Sequence, residues 1–176
     1  MNMNYTLERA ETVVSLEEYV RECIDVPKFL ECCKQCPGYN TRWSCPPFAF
    51  DPMDIWRKYN TLHLHALILR PADCDKKTMM EAFWKEKPDF DRWLLELERE
   101  VPGSFSLSGG TCSFCGACQR AQGKPCCSPD LLRYSIEALG GDVGKTMERY
   151  FGKPIQWMQD DRAPEYLMLV GGLLIP

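Results

Sequence analysis

The chain has 176 residues, 45% hydrophobic and 26% charged, with a formal net charge of −4 at neutral pH. This balance is that of a folded globular chain, and a pI near 5.3 with no run of Lys or Arg excludes a surface built for nucleic acid or anionic membrane. A chain of this length buries roughly two-thirds of its unfolded surface without covalent staples, so its eleven cysteines need another explanation.

Tyr5 to Val14 has a β-rich ending, and Ser15 then offers an N-cap to the helical segment LEEYVRE. Leu30 to Phe50 holds four cysteines, three prolines and a glycine with no sustained period, and reads as a loop. Thr61 to Arg70 alternates so that Leu62, Leu64, Ala66 and Ile68 share one face, the strongest strand pattern in the chain. Lys76 to Glu100 is helical in composition, as two helices or one kinked at Pro88, with Phe90, Trp93, Leu94 and Leu97 at i, i+3, i+4 and i+7. Val101 to Gly110 reads as a short strand leading into a second cysteine-rich loop, Thr111 to Cys127. Ser128 and Pro129 then predict a helix start and Gly140 and Gly141 its end. A helix over Val143 to Phe151 and a terminal strand over Tyr166 to Ile175 complete the series. The expectation is one α/β domain over residues 1–176: a small mixed sheet of about four strands, packed helices and two cysteine-rich metal-binding loops.

Met1 to Ala10 is polar and lacks a signal-peptide stretch. The longest apolar run, Tyr166 to Pro176, is about half of the ~20 residues a spanning helix needs. These features predict a cytoplasmic protein whose thiols stay reduced, with no membrane contact.

Cys112, Cys115 and Cys118 are spaced by three, and Cys126 follows after seven intervening residues. Three thiolates so spaced, joined by a fourth, form the ligand pattern of a [4Fe–4S] cluster. Structural zinc usually takes two separate CxxC knuckles, so the unbroken triple favours iron and sulfide, with zinc as the alternative. The helix expected from Ser128 would bring free N–H groups near the fourth thiolate. Cys127 reads as an ordinary small buried residue. Cys33, Cys36 and Cys45 supply a second set of three. Cys32, Cys23 or a histidine would close it, an absent fourth ligand would leave an open iron, and zinc remains a rival here. Trp43 is placed either to shield a cluster or to pack in the core.

The chain resembles a family of cysteine-rich prokaryotic proteins described only as predicted metal-binding proteins. The resemblance rests on CKQCPGYNTRWSCPP from Cys33 to Pro47, on ELERE followed by SLSGGTCSFCGAC, and on PCCSPDLLRYSIEALGGDV from Pro125 to Val143. It implies that Cys33, Cys36 and Cys45 form one ligand set, and Cys112, Cys115, Cys118 and Cys126 another. Cys127 stands where the family usually has arginine, and Tyr134 where it usually has proline before Ser135 and Glu137.

Other signals are weaker. The segment GDVGKT ends like a phosphate loop but lacks its opening glycine and the preceding strand. His63 and His65 lie two apart on one strand face, a geometry that can chelate a metal, but read rather as a polar start to a half-exposed strand face. Glu96, Glu98 and Glu100 read as a solvated helix face, and Arg133 as a partner for Glu137, with Arg133 or Ser135 otherwise a donor towards the cluster or a bound anion. Cys74 has no partner at ligand spacing. The functional expectation is an iron–sulfur protein in electron transfer or redox support of a partner protein. The rivals are an enzyme with an open iron at the three-cysteine set and a zinc-binding structural or interaction module.

Overall fold

Alternation along Thr61–Arg70 sends successive side chains to opposite faces, and the computed structural model, which describes residues 5–72, 76–157 and 164–176, places that strand inside a sheet. The sheet has the order β1-β2-β4-β3, with β1 at Tyr5–Ser15, β2 at Thr61–Pro71, β3 at Phe105–Leu107 and β4 at Leu167–Ile175. Four strands with packed helices are as expected from the sequence, but every strand pairing is antiparallel where a mixed sheet was expected. The one parallel pairing among the described residues is an isolated bridge between Ser108 and Ser135.

Both faces of the sheet are covered, which is why β2 is buried along most of its length. Leu62, Leu64 and Ala66 face a core shared with Tyr19 of α1 (Leu16–Cys23), Trp56 of α3 (Met53–Trp56) and Met147 of α5 (Val143–Phe151). Leu67 and Leu69 face a second core with Ala82, Phe90 and Leu94 of α4 (Lys76–Glu100). His65 is buried on that same face, edge-on to Trp93 with ring centroids 4.9 Å apart, rather than half-exposed. α4 runs unbroken through Pro88. Burial of its apolar stripe offsets the roughly 3 kcal/mol that an interior proline costs. Among the described residues no helix is long and apolar enough to cross a membrane.

Two stretches differ from expectation. The first cysteine segment begins as α2 (Val26–Lys34), capped by Asp25, whose side chain accepts a hydrogen bond from Lys28 N at 3.1 Å. Asp25 and Pro27 are a legible helix start, and they put Cys32 and Cys33 on a helical last turn. The helix expected after Ser128 is only a 3₁₀ turn, Pro129–Leu131. Tertiary contacts override its propensity. Tyr134 O accepts a bond from Ser108 N at 2.9 Å, and its ring packs against Phe48 and Phe50 at 5.1 and 5.4 Å.

Arg133 is held in the same extended stretch by Glu98, not by Glu137. Its Nε donates to Glu98 Oε2 at 2.7 Å and its Nη2 to Oε1 at 2.5 Å, while Ser106 N and Oγ also donate to Oε2, at 2.6 and 2.7 Å. Glu98 is therefore a half-buried link between α4, β3 and the 130s segment, not part of a solvated face. Burial pushes its carboxyl up, but the bonds from Arg133 and Ser106 outweigh this and hold it below its ordinary value. A lowered folded-state pKa contributes stability above the unfolded value of about 4.3 and loses it as pH falls through the folded value. Urea midpoints measured from about pH 6 down to about pH 3 should fall less steeply in Glu98→Gln than in the parent chain. Identical slopes would show that this pairing carries no acid sensitivity.

Candidate metal centres

The second cysteine loop hangs from the end of β3 and is anchored by a buried ion pair on α4. Lys87 and Asp91 have side chains 2% and 1% exposed, with Nζ 2.5 Å from Oδ2. Asp91 Oδ1 accepts from Gly109 N at 2.9 Å, and its Oδ2 also accepts from Ser113 Oγ at 3.0 Å. From this footing the loop brings Cys112, Cys115, Cys118, Cys126 and Cys127 around one small cavity that Trp43 also lines.

Trp43 N donates to Cys118 Sγ at 3.4 Å, and its indole Nε1 donates to Lys124 O at 3.0 Å. The half-exposed indole thus lines the cavity instead of packing in the core. Cys115 Sγ lies 3.1 Å from Cys127 Sγ. Cys127 is exposed and lines the cavity beside Cys126, so it is not the ordinary buried residue expected. The contact acts in opposite senses on its two ends: the bond to Cys127 raises the Cys115 thiol, and the bond to Cys115 lowers that of Cys127. The predicted helix N-terminus near the fourth thiolate is absent, because Pro129–Leu131 makes only a 3₁₀ turn.

Cys33, Cys36 and Cys45 line a second cavity of about 160 Å³, together with Thr111, Ser135 and Glu137. Cys33 comes from the last turn of α2, and Cys36 from the turn that follows, where Cys36 N donates to Cys33 O at 3.0 Å. Gly38 N donates to Cys36 Sγ at 3.4 Å, and a Cβ on Gly38 would come within 3.2 Å of Cys45 Sγ. The backbone therefore approaches these sulfurs at a distance suited to glycine. Burial pushes the Cys33 thiol up to about 11 and raises those of Cys45 and Cys112. Metal binding at such thiols releases protons. Burial also raises the Glu137 carboxyl. Of the candidate closing ligands, Cys32 is exposed and Cys23 belongs to the main core. Cys74 lies outside the described residues.

The two cavities share a wall. Ser44 lines the first and Cys45 the second, while Thr111 lines the second and Cys112 the first. Consecutive Cα atoms are about 3.8 Å apart, so each chain crosses from one cavity to the other in a single residue. The two crossings are joined by Cys112 N, which donates to Ser44 Oγ at 3.0 Å. Arg120, two residues past Cys118, grips the other loop: Nη1 donates to Cys45 O at 2.6 Å and Arg42 O at 3.0 Å, and Nη2 to Pro47 O at 2.6 Å. Ser44 and Arg120 carried no signal in the sequence beyond their position near cysteines, and Asp91, far from any cysteine in sequence, carried none.

Among the described residues, no three Cys, His, Asp or Glu side chains converge closely enough to hold a single metal ion. The donor chemistry nonetheless fits sulfur-ligated metal. The ten described cysteines are free thiols, and backbone N–H groups are directed at Cys36 and Cys118 Sγ. An α/β domain that gathers free cysteines about two adjoining cavities belongs to the class of cysteine-rich metal-binding proteins. The chain is a member of the family described as Predicted metal-binding protein (DUF2284), which it matches over residues 21–175. No curated protein and no solved structure matches it.

Proposed function

We propose that the protein is a cytoplasmic iron–sulfur protein that carries two metal centres and passes electrons to or from a partner protein. Cys112, Cys115, Cys118 and Cys126 hold a [4Fe–4S] cluster, and Cys33, Cys36 and Cys45 hold the second centre. The observation that carries this reading is the shared wall: Ser44–Cys45 and Thr111–Cys112 each span both cavities. A [4Fe–4S] cluster supplies electron acceptance and release at a potential set by charge, hydrogen bonds to sulfur and exposure. The chain's own residues act on those three quantities. Trp43 N and Gly38 N donate towards sulfur, the indole of Trp43 restricts water, and the buried Asp91–Lys87 pair sets opposing charges beside Cys112.

Anaerobic purification with counts of iron, zinc and acid-labile sulfide per chain tests the proposal. Iron and sulfide in equal amounts support it, whereas stoichiometric zinc without sulfide rejects it in favour of a structural zinc module. Cys115→Ser is expected to remove the absorbance and iron of one centre and leave that of the other. Cys126→Ser should do the same and Cys127→Ser should not, since Cys126 is assigned as the fourth thiolate. Unchanged metal content in Cys115→Ser would reject the ligand set.

A further inference from the structure

Glu137 Oε2 is buried and has no hydrogen-bond partner among the described residues. A buried carboxylate oxygen in that condition is costly unless something charged or donating meets it. The Ser135 side chain hydrogen-bonds the carboxyl, and Lys87 is the cation whose charge bears on it. Lys87 is committed to Asp91 at 2.5 Å, and Oε2 is left open.

The turn carrying Glu137 is fixed against the helix that carries Cys33. Asp25 N, at the cap of α2, donates to Gly140 O at 2.8 Å, and Gly141 N donates to Ile136 O at 2.8 Å. Gly140 sits at φ +88°, and a Cβ there would lie 2.6 Å from Val26 Cα, so α2 and the turn meet backbone to backbone. This docking puts Glu137 on the wall of the cavity lined by Cys33, Cys36 and Cys45, where its charge bears on Cys33.

We infer that Glu137 is the fourth protein ligand of the Cys33, Cys36 and Cys45 centre, a carboxylate oxygen in the place of a fourth thiolate. The inference rests on the reading of those three cysteines as a metal centre. Cys32 is exposed, Cys23 lies in the main core, and His65 is buried edge-on to Trp93, whereas Glu137 lines the cavity and carries a buried oxygen without a hydrogen-bond partner. A hard oxygen donor among soft sulfurs makes one metal position different from the rest and more exchangeable. Glu137 also lines a separate, apolar cavity of about 360 Å³ with Met80, Phe83 and Leu169.

The test uses the full chain, reconstituted anaerobically with ferrous iron and sulfide and read by iron count and Mössbauer spectra. The wild type should show one iron subsite with oxygen-type parameters, absent from Cys33→Ser. Glu137→Cys should keep the iron count and convert that subsite to the all-sulfur type. Glu137→Gln, which keeps the side-chain shape, should lose that subsite, about one iron in four at this centre. Wild-type iron content and spectra in Glu137→Gln, with Cys33→Ser still losing the centre, would overturn the ligand assignment alone. Metal content unchanged in Cys33→Ser would instead overturn the parent reading, and the ligand with it.

Discussion

Asp91→Ala should destabilise the chain by about 3–5 kcal/mol, the usual cost of leaving one partner of a buried ion pair uncompensated. Lys87 is 2% exposed and Asp91 1%, and the Lys87 ammonium sits 2.5 Å from the carboxylate. Removing the carboxylate strands that ammonium in the interior. It also removes the acceptor for Gly109 N and Ser113 Oγ, which lead into Cys112 and flank it. The loss is therefore expected in two readouts, a lower midpoint in chemical denaturation and less metal bound by the Cys112 to Cys126 set. The double variant Lys87→Met, Asp91→Leu separates them. Filling the volume with apolar atoms should recover much of the stability, while Gly109 N and Ser113 remain without their acceptor and metal binding stays impaired. Full recovery of metal binding in the double variant would show that Asp91 acts only by pairing Lys87.

The strands were legible in the sequence because their signals are local. The alternation of Thr61–Arg70, and the apolar run before Ile175, need no partner to be recognised. The same holds for α4, whose stripe of Phe90, Trp93, Leu94 and Leu97 faces the core cluster it implies. The segment after Ser128 failed because its local signal was sound but its neighbours were stronger. Ser128 and Pro129 start a turn, and then Arg133 is taken by Glu98 and Tyr134 by Phe48 and Phe50, contacts that no helix could keep. The candidate site divides in the same way. The spacing of the cysteines announced two sets, and the two sets line two cavities. The groups that hold the cavities together did not announce themselves. Ser44, Asp91, Arg120 and Glu137 are common residue types, and the first three reach the cysteine loops across 18 to 80 residues of chain. Asp91, for example, reaches Gly109 over 18 positions and Ser44 reaches Cys112 over 68.

Arg120 is the clearest case in which a residue from one cysteine loop organises the other, and its replacement is expected to affect both sets at once. Its guanidinium donates to Cys45 O and Arg42 O through Nη1 and to Pro47 O and Asn40 Oδ1 through Nη2, and lies 5.0 Å from the centroid of the Trp43 ring. Hydrogen bonds with a charged donor contribute about 1.5–3 kcal/mol each. The pair to Arg42 and Cys45 is partly buried, the pair to Asn40 and Pro47 exposed and worth little. The expected loss in Arg120→Ala is therefore about 3 kcal/mol. Arg120→Lys should behave almost as badly, because an ammonium on a single stem cannot reproduce the planar fork that reaches carbonyls on both sides of Cys45. The distinguishing result lies in the metal counts. Cys115→Ser should empty one centre and Asp91→Ala should weaken the same one, whereas Arg120→Lys should lower occupancy at the Cys33 to Cys45 set and at the Cys112 to Cys126 set together. The coupling arises because Trp43 and Ser44, which line the first cavity, lie on the strand of chain whose carbonyls Arg120 holds. Wild-type denaturation midpoints and metal content in both Arg120 variants would show that the loops hold their shape without this clamp.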